Sequence, residues 1–506
     1  MKTSTKLSSK SIYEFYKELE NKGVENHGLL IMKDGEILFE EYSYPYSSEI
    51  PHTLFSVTKS IVATAAGFAI DECLFSLDSK ILPFFPEYEA CKSDEWDNLT
   101  VRSVLTMQSN KEFSFLQDMT GNYVEMFMKA PFRKDKGFLY SNNDAHMVGA
   151  LIQKLSGQSL VDYLTPRLFE PLGIERPFWE TNSIGECIGG TGGHFKLRDL
   201  AKICQCYADG GKYNGVQIIP EWWTKEATRK HVTLNDRDDE DGYGYFFWLH
   251  NGVFSMNGMF GQQISCLPNQ NVVVASFNSV VNDTVHNKLV KKLLNEAFET
   301  ESSEEWDKKL ADYLKNRGEK LVECKNLPPI PTGKTFYITA ASDVLAKLMF
   351  PAGLIPRSLT ASFAKRPRKN LNRVSFELSE KVLTVKWFEE DDGVKINCAL
   401  DGNPCISECS IKGYQYKIWA YAYMADGVLN AVVKPINTLA TQRIRFEFSD
   451  NVVKLQFKGT PSFPEFIKKN AYQASIMQNP TIEKLAQPIL NAVLATTEKP
   501  MKFKAK

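Results

Sequence analysis

LFSVTKSIVATAAGFAID, residues 54–71, has little polar surface beyond its serine, threonine and single lysine side chains. A helix that is apolar on nearly all sides belongs in an interior. Its start nevertheless holds Ser56 and Lys59, three residues apart and so on one helix face. Hydroxyl nucleophiles are inert without an adjacent base. Desolvation lowers a lysine's affinity for its proton, so a buried Lys59 can act as that base. The helix N-terminus also favours negative charge developing near Ser56. The spacing alone is weak, because Ser362-Phe363-Ala364-Lys365 repeats it. That copy runs into Arg366-Pro367-Arg368, which cannot continue a buried helix, and reads as a surface accident.

The surroundings of this helix set the fold class. Residues 12–22 read as a short amphipathic helix. Residues 27–42, HGLLIMKDGEILFEEY, place two strand-like runs around Asp34-Gly35, a favoured hairpin turn. Segments 100–108, 143–156 and 197–209 read as helical, and strand signals return at 243–249, 262–267 and 271–277. A helix at 284–299 follows. Strands at both ends with helices between them predict an α+β fold. Its antiparallel sheet is flanked by helices, its first and last segments pair, and a helical subdomain is inserted.

Residues 1–298 are assigned to this unit, and 299–326 to a charged, solvated linker helix. Leu327-Pro328-Pro329-Ile330-Pro331 marks a boundary, after which short alternating segments predict an antiparallel β-barrel or sandwich over 327–475. Residues 476–506 are expected to form a closing helix at 481–495 and a frayed Lys-rich tail. The apolar loop 348–356 and the basic stretch after it read as packing against a neighbouring domain, with a cover for the site cleft or a partner surface as the alternative.

Composition narrows the function classes. The chain has 506 residues, 43% hydrophobic and 24% charged, with a formal net charge of −1. No global field draws it to nucleic acid or to an anionic membrane. The 10 cysteines include no C-x-x-C pair and are expected to be reduced. The 7 histidines show no H-E-x-x-H spacing, so no metal site and no cofactor are expected. The N-terminus lacks the apolar core of a signal peptide, and Ile61–Ile70 is too short to span a bilayer. A cytoplasmic location is the expectation.

Two further motifs bear on chemistry. Tyr140-Ser141-Asn142 is the sole Y-x-N in the chain. A tyrosine hydroxyl near a lysine relays protons, and an asparagine amide can hold the lysine through its oxygen and a substrate carbonyl through its NH₂. In Ser255-Met256-Asn257-Gly258-Met259-Phe260-Gly261-Gln262, two glycines three apart precede a strand. Such a strand edge allows close backbone approach to a ligand. It can supply a second oxyanion-hole N–H beside that of Ser56. Taken singly, each motif also has a purely structural reading, a capped turn or a glycine-containing turn.

Together these elements resemble the serine β-lactamase and penicillin-binding-protein superfamily, and most closely its class C-like branch of esterases and amide hydrolases. The likeness covers about residues 10–300. It rests on the hairpin, on residues 54–71, and on FSLDSKILPFFPEY, LTVRSVLTMQSN, LYSNNDAHMVGALIQKLSG, GGTGGHFKLRDLAKICQCYADGGKYNGVQIIPEWW and GYGYFFWL in the same order. The resemblance implies that Ser56 is the acylated nucleophile, that Lys59 and Tyr140 are its base system, and that Asn142 contacts lysine or substrate. It also makes Ser255, Asn257, Gly258 and Gln262 candidate substrate contacts.

The superfamily's Lys-Thr-Gly or His-x-Gly triplet is Ser-Met-Asn-Gly here, without the cation that attracts a substrate carboxylate. This implies a small-molecule ester or linear amide substrate. Acyl transfer at the same site, true β-lactamase or D-Ala peptidase activity, and a non-catalytic binding protein stand as alternatives. The β-rich region resembles the lipocalin-like barrel appended to some of these hydrolases. No nucleic-acid partner is expected, and homo-oligomer formation is left open.

Overall fold

The computed structural model describes residues 7–112, 122–182, 184–235, 239–298, 303–318, 321–342, 371–389, 392–411, 414–462 and 499–505, with isolated positions at 465, 468 and 488. The loop 348–356, the second Ser-x-x-Lys copy at 362–365 and the expected helix 481–495 lie outside the described residues. The chain divides into two compact units that part between Arg317 and Gly318.

The first unit opens with α1 (Ser9–Asn21), whose start is capped by the Ser8 side chain accepting from Ser11 N–H. Ile12, Phe15, Tyr16 and Leu19 form its buried stripe. The hairpin β1 (Glu25–Lys33) and β2 (Glu36–Tyr42) turns at Asp34-Gly35, both left-handed, with φ of 51° and 81°. A short β3 (His52–Thr53) leads into α2 (Val57–Asp71). The inserted helical region then holds α3 (Val101–Leu105), α4 (Tyr123–Lys129), α5 (Asn142–Ser156) and α6 (Leu160–Leu164). After it come β4 (Phe178–Trp179), β5 (Gly193–Phe195), α7 (Leu197–Ala208), the small hairpin β6 (Lys212–Tyr213) and β7 (Val216–Gln217), and α8 (Glu221–Ala227).

The chain then returns to the sheet through β8 (Val232–Thr233), β9 (Gly242–Tyr243), β10 (Trp248–His250), β11 (Val253–Gly258), β12 (Gln262–Leu267) and β13 (Val272–Ser279). The strand order is β2-β1-β13-β12-β11-β10-β9-β8, antiparallel throughout. The first and last segments do pair, with Leu30 opposite Ala275.

Both faces of this sheet are covered, which is why its central strands are apolar at successive positions. Leu29, Ile31, Val272 and Val274 pack with α1 and with α9 (Asp283–Glu296). Leu30, Met32, Val273 and Ala275 face the layer that contains α2 and α7. Every residue of α2 from Val57 to Ala69 is buried. The charge-rich α10 (Glu304–Asn316) is not wholly solvated: Leu310 is buried, and Trp306 and Tyr313 lie against Tyr13 of α1.

The second unit is a barrel of antiparallel strands: β14 (Thr335–Ile338), β15 (Leu371–Leu378), β16 (Val382–Glu389), β17 (Asp392–Ala399), β18 (Cys405–Ile411), β19 (Tyr414–Ala425), β20 (Val428–Pro435), β21 (Thr441–Ser449), β22 (Val452–Thr460) and β23 (Met501–Ala505). The order β17-β16-β15-β14-β23-β22-β21-β20-β19, antiparallel between these neighbours, closes through a parallel pairing of Ala399 with Tyr421, and β18 pairs antiparallel to β19. Its core is apolar, including Phe336, Trp387, Ile418, Phe446 and Phe503. The expectation of a frayed Lys-rich end is corrected here. Met501 and Phe503 are buried while Lys502 and Lys504 are exposed, so the segment alternates as a strand and joins β14 to β22.

Beneath the far face of the first unit's sheet, Lys291 of α9 pairs with the fully buried Glu240 at 2.9 Å, and Asn257 of β11 donates to the same carboxylate at 2.8 Å. Replacing Glu240 by Ala is expected to lower the unfolding free energy by about 3–5 kcal/mol, because a buried charge loses its partner. Replacing Glu87, the exposed partner of Lys154, is expected to cost less than about 1 kcal/mol. Urea unfolding of the two variants checks the contrast.

Candidate active site

The turn from β3 into α2 is held from three sides. Leu54 N–H donates to Gly193 O at 2.9 Å. Phe55 adopts φ +49°, a costly conformation for a bulky residue, and its buried ring meets Phe260 edge-on at 5.3 Å. Gly258, at the end of β11, lies so close that a Cβ there would sit 2.3 Å from the Leu54 carbonyl oxygen. Only glycine admits that approach. Ser56 then occupies the N-cap of α2, yet its side chain makes no capping bond. Its hydroxyl is committed elsewhere.

Lys59, one turn into α2, is 1% exposed. Its Nζ donates to Ser56 Oγ at 2.8 Å, to Asn142 Oδ1 at 2.7 Å and to Gly190 O at 2.8 Å. Tyr140 presents its ring with the centroid 4.9 Å from the same nitrogen. That ring stacks on Trp248 at 5.2 Å and meets Tyr243 edge-on at 6.3 Å. Asn142 is the first residue of α5, placed there because Ser141 caps the helix by accepting from Asn143 and Asp144 N–H.

The structure therefore brings Ser56, Lys59, Tyr140 and Asn142 together, with Gly258 against the turn that carries Ser56. It does not bring Ser255 and Asn257 there. Side chains alternate along a strand, so positions 255 and 257 face away from Met256 and α2. Ser255 Oγ is bonded to Ser265 Oγ at 2.7 Å, and Asn257 to Glu240. Gln262 is fully buried and donates to Asn278 O at 2.8 Å, securing the turn after Gly258.

Sequence reasoning missed Gly190. Its signal was present in the run Gly189-Gly190-Thr191-Gly192-Gly193. A Cβ at Gly189 would lie 2.7 Å from Ala145 O, and one at Gly190 2.9 Å from Asn142 O. Bare glycines let this loop press on the first turns of α5 and aim a carbonyl at Lys59.

A family model described as Beta-lactamase matches residues 17–294. The chain belongs to the beta-lactamase family. Two curated relatives are 22% identical to it. The 6-aminohexanoate-dimer hydrolase of Paenarthrobacter ureafaciens aligns over 49% of this chain and 71% of its own length. A candidate D-alanyl-D-alanine carboxypeptidase of Salmonella paratyphi B aligns over 47% and 71%. A solved candidate beta-lactamase from Bacteroides dorei DSM 17855 superposes with a TM-score of 0.50 at 15% identity, covering 57% of this chain and 100% of that one. The superposition agrees in fold; the named relatives are hydrolases. Among the described residues, no helix is long and apolar enough to cross a membrane.

Asp144 gives this beta-lactamase-family site a pH signature. It is fully buried, and burial pushes its carboxyl up to about 7 against the opposing hydrogen bonds from Ser109 and Ser141. A carboxyl raised in the folded state stabilises the fold while protonated, and that contribution is lost as pH rises from about 4 through about 7. Asp144→Asn is therefore expected to raise the melting temperature relative to the parent at pH 8, with a smaller gain at pH 5. Gly258→Ala is expected to cost about 1–3 kcal/mol of stability by overpacking. Thermal melts check both.

Proposed function

We propose that this protein is a serine hydrolase that cleaves a neutral ester or linear amide of a small molecule through an acyl-enzyme on Ser56. The observation that carries this reading is the lysine cluster: Lys59 Nζ lies 2.8 Å from Ser56 Oγ inside the protein, with Asn142 and Gly190 as its other acceptors. A neutral amine has two N–H donors and one lone pair. If Asn142 Oδ1 and Gly190 O take the two donors, the lone pair is turned to the Ser56 hydroxyl.

In this mechanism Ser56 Oγ attacks the carbonyl carbon while its proton passes to Lys59, with Tyr140 sharing the transfer. The oxyanion rests on the Ser56 amide and a backbone amide beside Gly258. Tyr140 returns the proton to the leaving oxygen or nitrogen, and water then releases the acyl group. A competing alcohol or amine in place of water would make the same site an acyltransferase.

The substrate class follows from charge. Neither β11, VFSMNG, nor β12, QQISCL, carries a cationic side chain. A carboxylate-bearing substrate has no partner on these strands. The relative named for hydrolysis of a 6-aminohexanoate dimer supports the linear-amide part of this reading; that dimer itself ends in a carboxylate, so the neutral charge of the substrate rests on β11 and β12.

Ser56→Ala is expected to abolish fluorophosphonate labelling and p-nitrophenyl acetate turnover. Tyr140→Phe is expected to lower kcat/KM about a hundredfold or more. Wild-type protein that shows no Ser56-dependent labelling or turnover would sink the enzyme reading. Rapid Ser56-dependent hydrolysis of nitrocefin or of a D-alanyl-D-alanine peptide would overturn the substrate class.

A further inference from the structure

His146 plays no part in the chemistry described above, yet it touches the loop that holds Lys59. It lies on α5 and is 1% exposed. Gly189 N–H donates to its Nδ1 at 3.2 Å. An imidazole that accepts at Nδ1 carries its proton on Nε2, and that nitrogen faces Glu186 Oε2 at 3.4 Å. Asn182 Nδ2 donates to the same carboxylate oxygen at 2.8 Å, and Tyr123 packs on the ring at 4.7 Å. Burial pushes the Glu186 carboxyl up, but the hydrogen bonds from His146 and Asn182 outweigh it and hold the group below the usual carboxylate range.

The residue after Gly189 is the one whose carbonyl receives Lys59. The loop is anchored again on either side. Trp179 Nε1 donates to Ile188 O at 2.9 Å, and Gly193 N–H donates to Thr58 Oγ1 at 3.1 Å. Each anchor uses up a backbone group that could otherwise swing the loop, and His146 holds the N–H of the Ile188–Gly189 peptide, two peptide units before the Gly190 carbonyl.

We infer that His146, oriented by Glu186, is a positioning residue for Lys59: it fixes the Gly189–Gly190 backbone so that the Gly190 carbonyl aims the lysine at Ser56. This rests on the reading of Lys59 as the base for Ser56. A carbonyl displaced by a fraction of an ångström would leave the lysine with a poorer acceptor and a rotated lone pair. Both the rate and the lysine's proton affinity would change. Among the described residues, Ser56 and Tyr140 face Lys59, Glu186 and Tyr123 face His146, and the charge of Lys154 acts on Glu186.

The test is the pH profile of kcat/KM for p-nitrophenyl acetate in wild type, His146→Phe, His146→Asn and Glu186→Gln, with melting temperatures for each. His146→Phe is expected to lower the plateau about tenfold or more. Its acid limb should move to lower pH, because an ammonium that loses an acceptor gives up its proton more readily. His146→Asn, whose Oδ1 can take the Gly189 N–H, should recover most of the rate. Glu186→Gln should show a smaller loss with the same direction of limb shift.

A folded His146→Phe variant with unchanged plateau and limb overturns the inference. So does an Asn variant no better than Phe with an unmoved limb, which would make the ring a filler of space. If His146→Phe does not fold, an unchanged profile in Glu186→Gln is decisive against it. Should wild type show no Ser56-dependent turnover, the hydrolase reading fails separately. NMR of isotope-labelled lysine in Ser56→Ala protein still reads the Lys59 titration, and a midpoint that His146→Phe leaves unmoved overturns the positioning role.

Discussion

An ammonium or amine buried in an apolar helix layer must find partners for its hydrogens, or the fold loses several kcal/mol. That constraint on Lys59 organises the first unit. Three groups that accept from it come from three places in the chain: the start of α2, the start of α5 and the glycine loop before β5. Satisfying them forces the N-termini of α2 and α5 together and draws the loop between them. The candidate site is thus the solution to a packing problem as well as a set of reactive groups. The same contacts that make Lys59 tolerable in the interior orient it toward Ser56.

The sheet contributes by proximity of backbone. Gly258 lies against the Leu54 carbonyl, and the turn at Phe55 holds a left-handed conformation that an isolated chain would avoid. Strain of this kind persists only where surrounding contacts over-determine it. Here these are the Gly193 hydrogen bond, the Phe260 ring and the β11 edge. Beneath the sheet, the buried Lys291–Glu240 pair and Asn257 tie α9 to that same strand. The polar residues of β11 therefore secure the strand, while its backbone faces the turn that carries Ser56.

Parts of this were legible in the sequence because they are local. A helix with no polar face announces its burial, an Asp-Gly pair announces a hairpin, and alternation announces a strand. Ser141 before Asn142 is a capping signal that places the asparagine at a helix start. What was not legible depends on which way a side chain points or on which distant backbone group it meets. Ser255 and Asn257 sit on the motif strand, but strand parity turns them to the opposite face. The Lys-rich end reads as a tail until Met501 and Phe503 are seen to enter a barrel whose other strands lie far upstream.

By itself, the sequence determined that a buried helix carries a serine and a lysine on one face, that strands at both ends of the first unit enclose helices, and that no cation stands before Gly258. These follow from composition, periodicity and spacing, which are properties of neighbouring residues. Only the tertiary structure decided that Asn142 Oδ1 and Gly190 O both accept from Lys59 and that His146 accepts the N–H of Gly189. The physical reason is that a hydrogen bond is set by distance and direction in space. The partners of Lys59 at Asn142 and Gly190 lie 83 and 131 residues away along the chain.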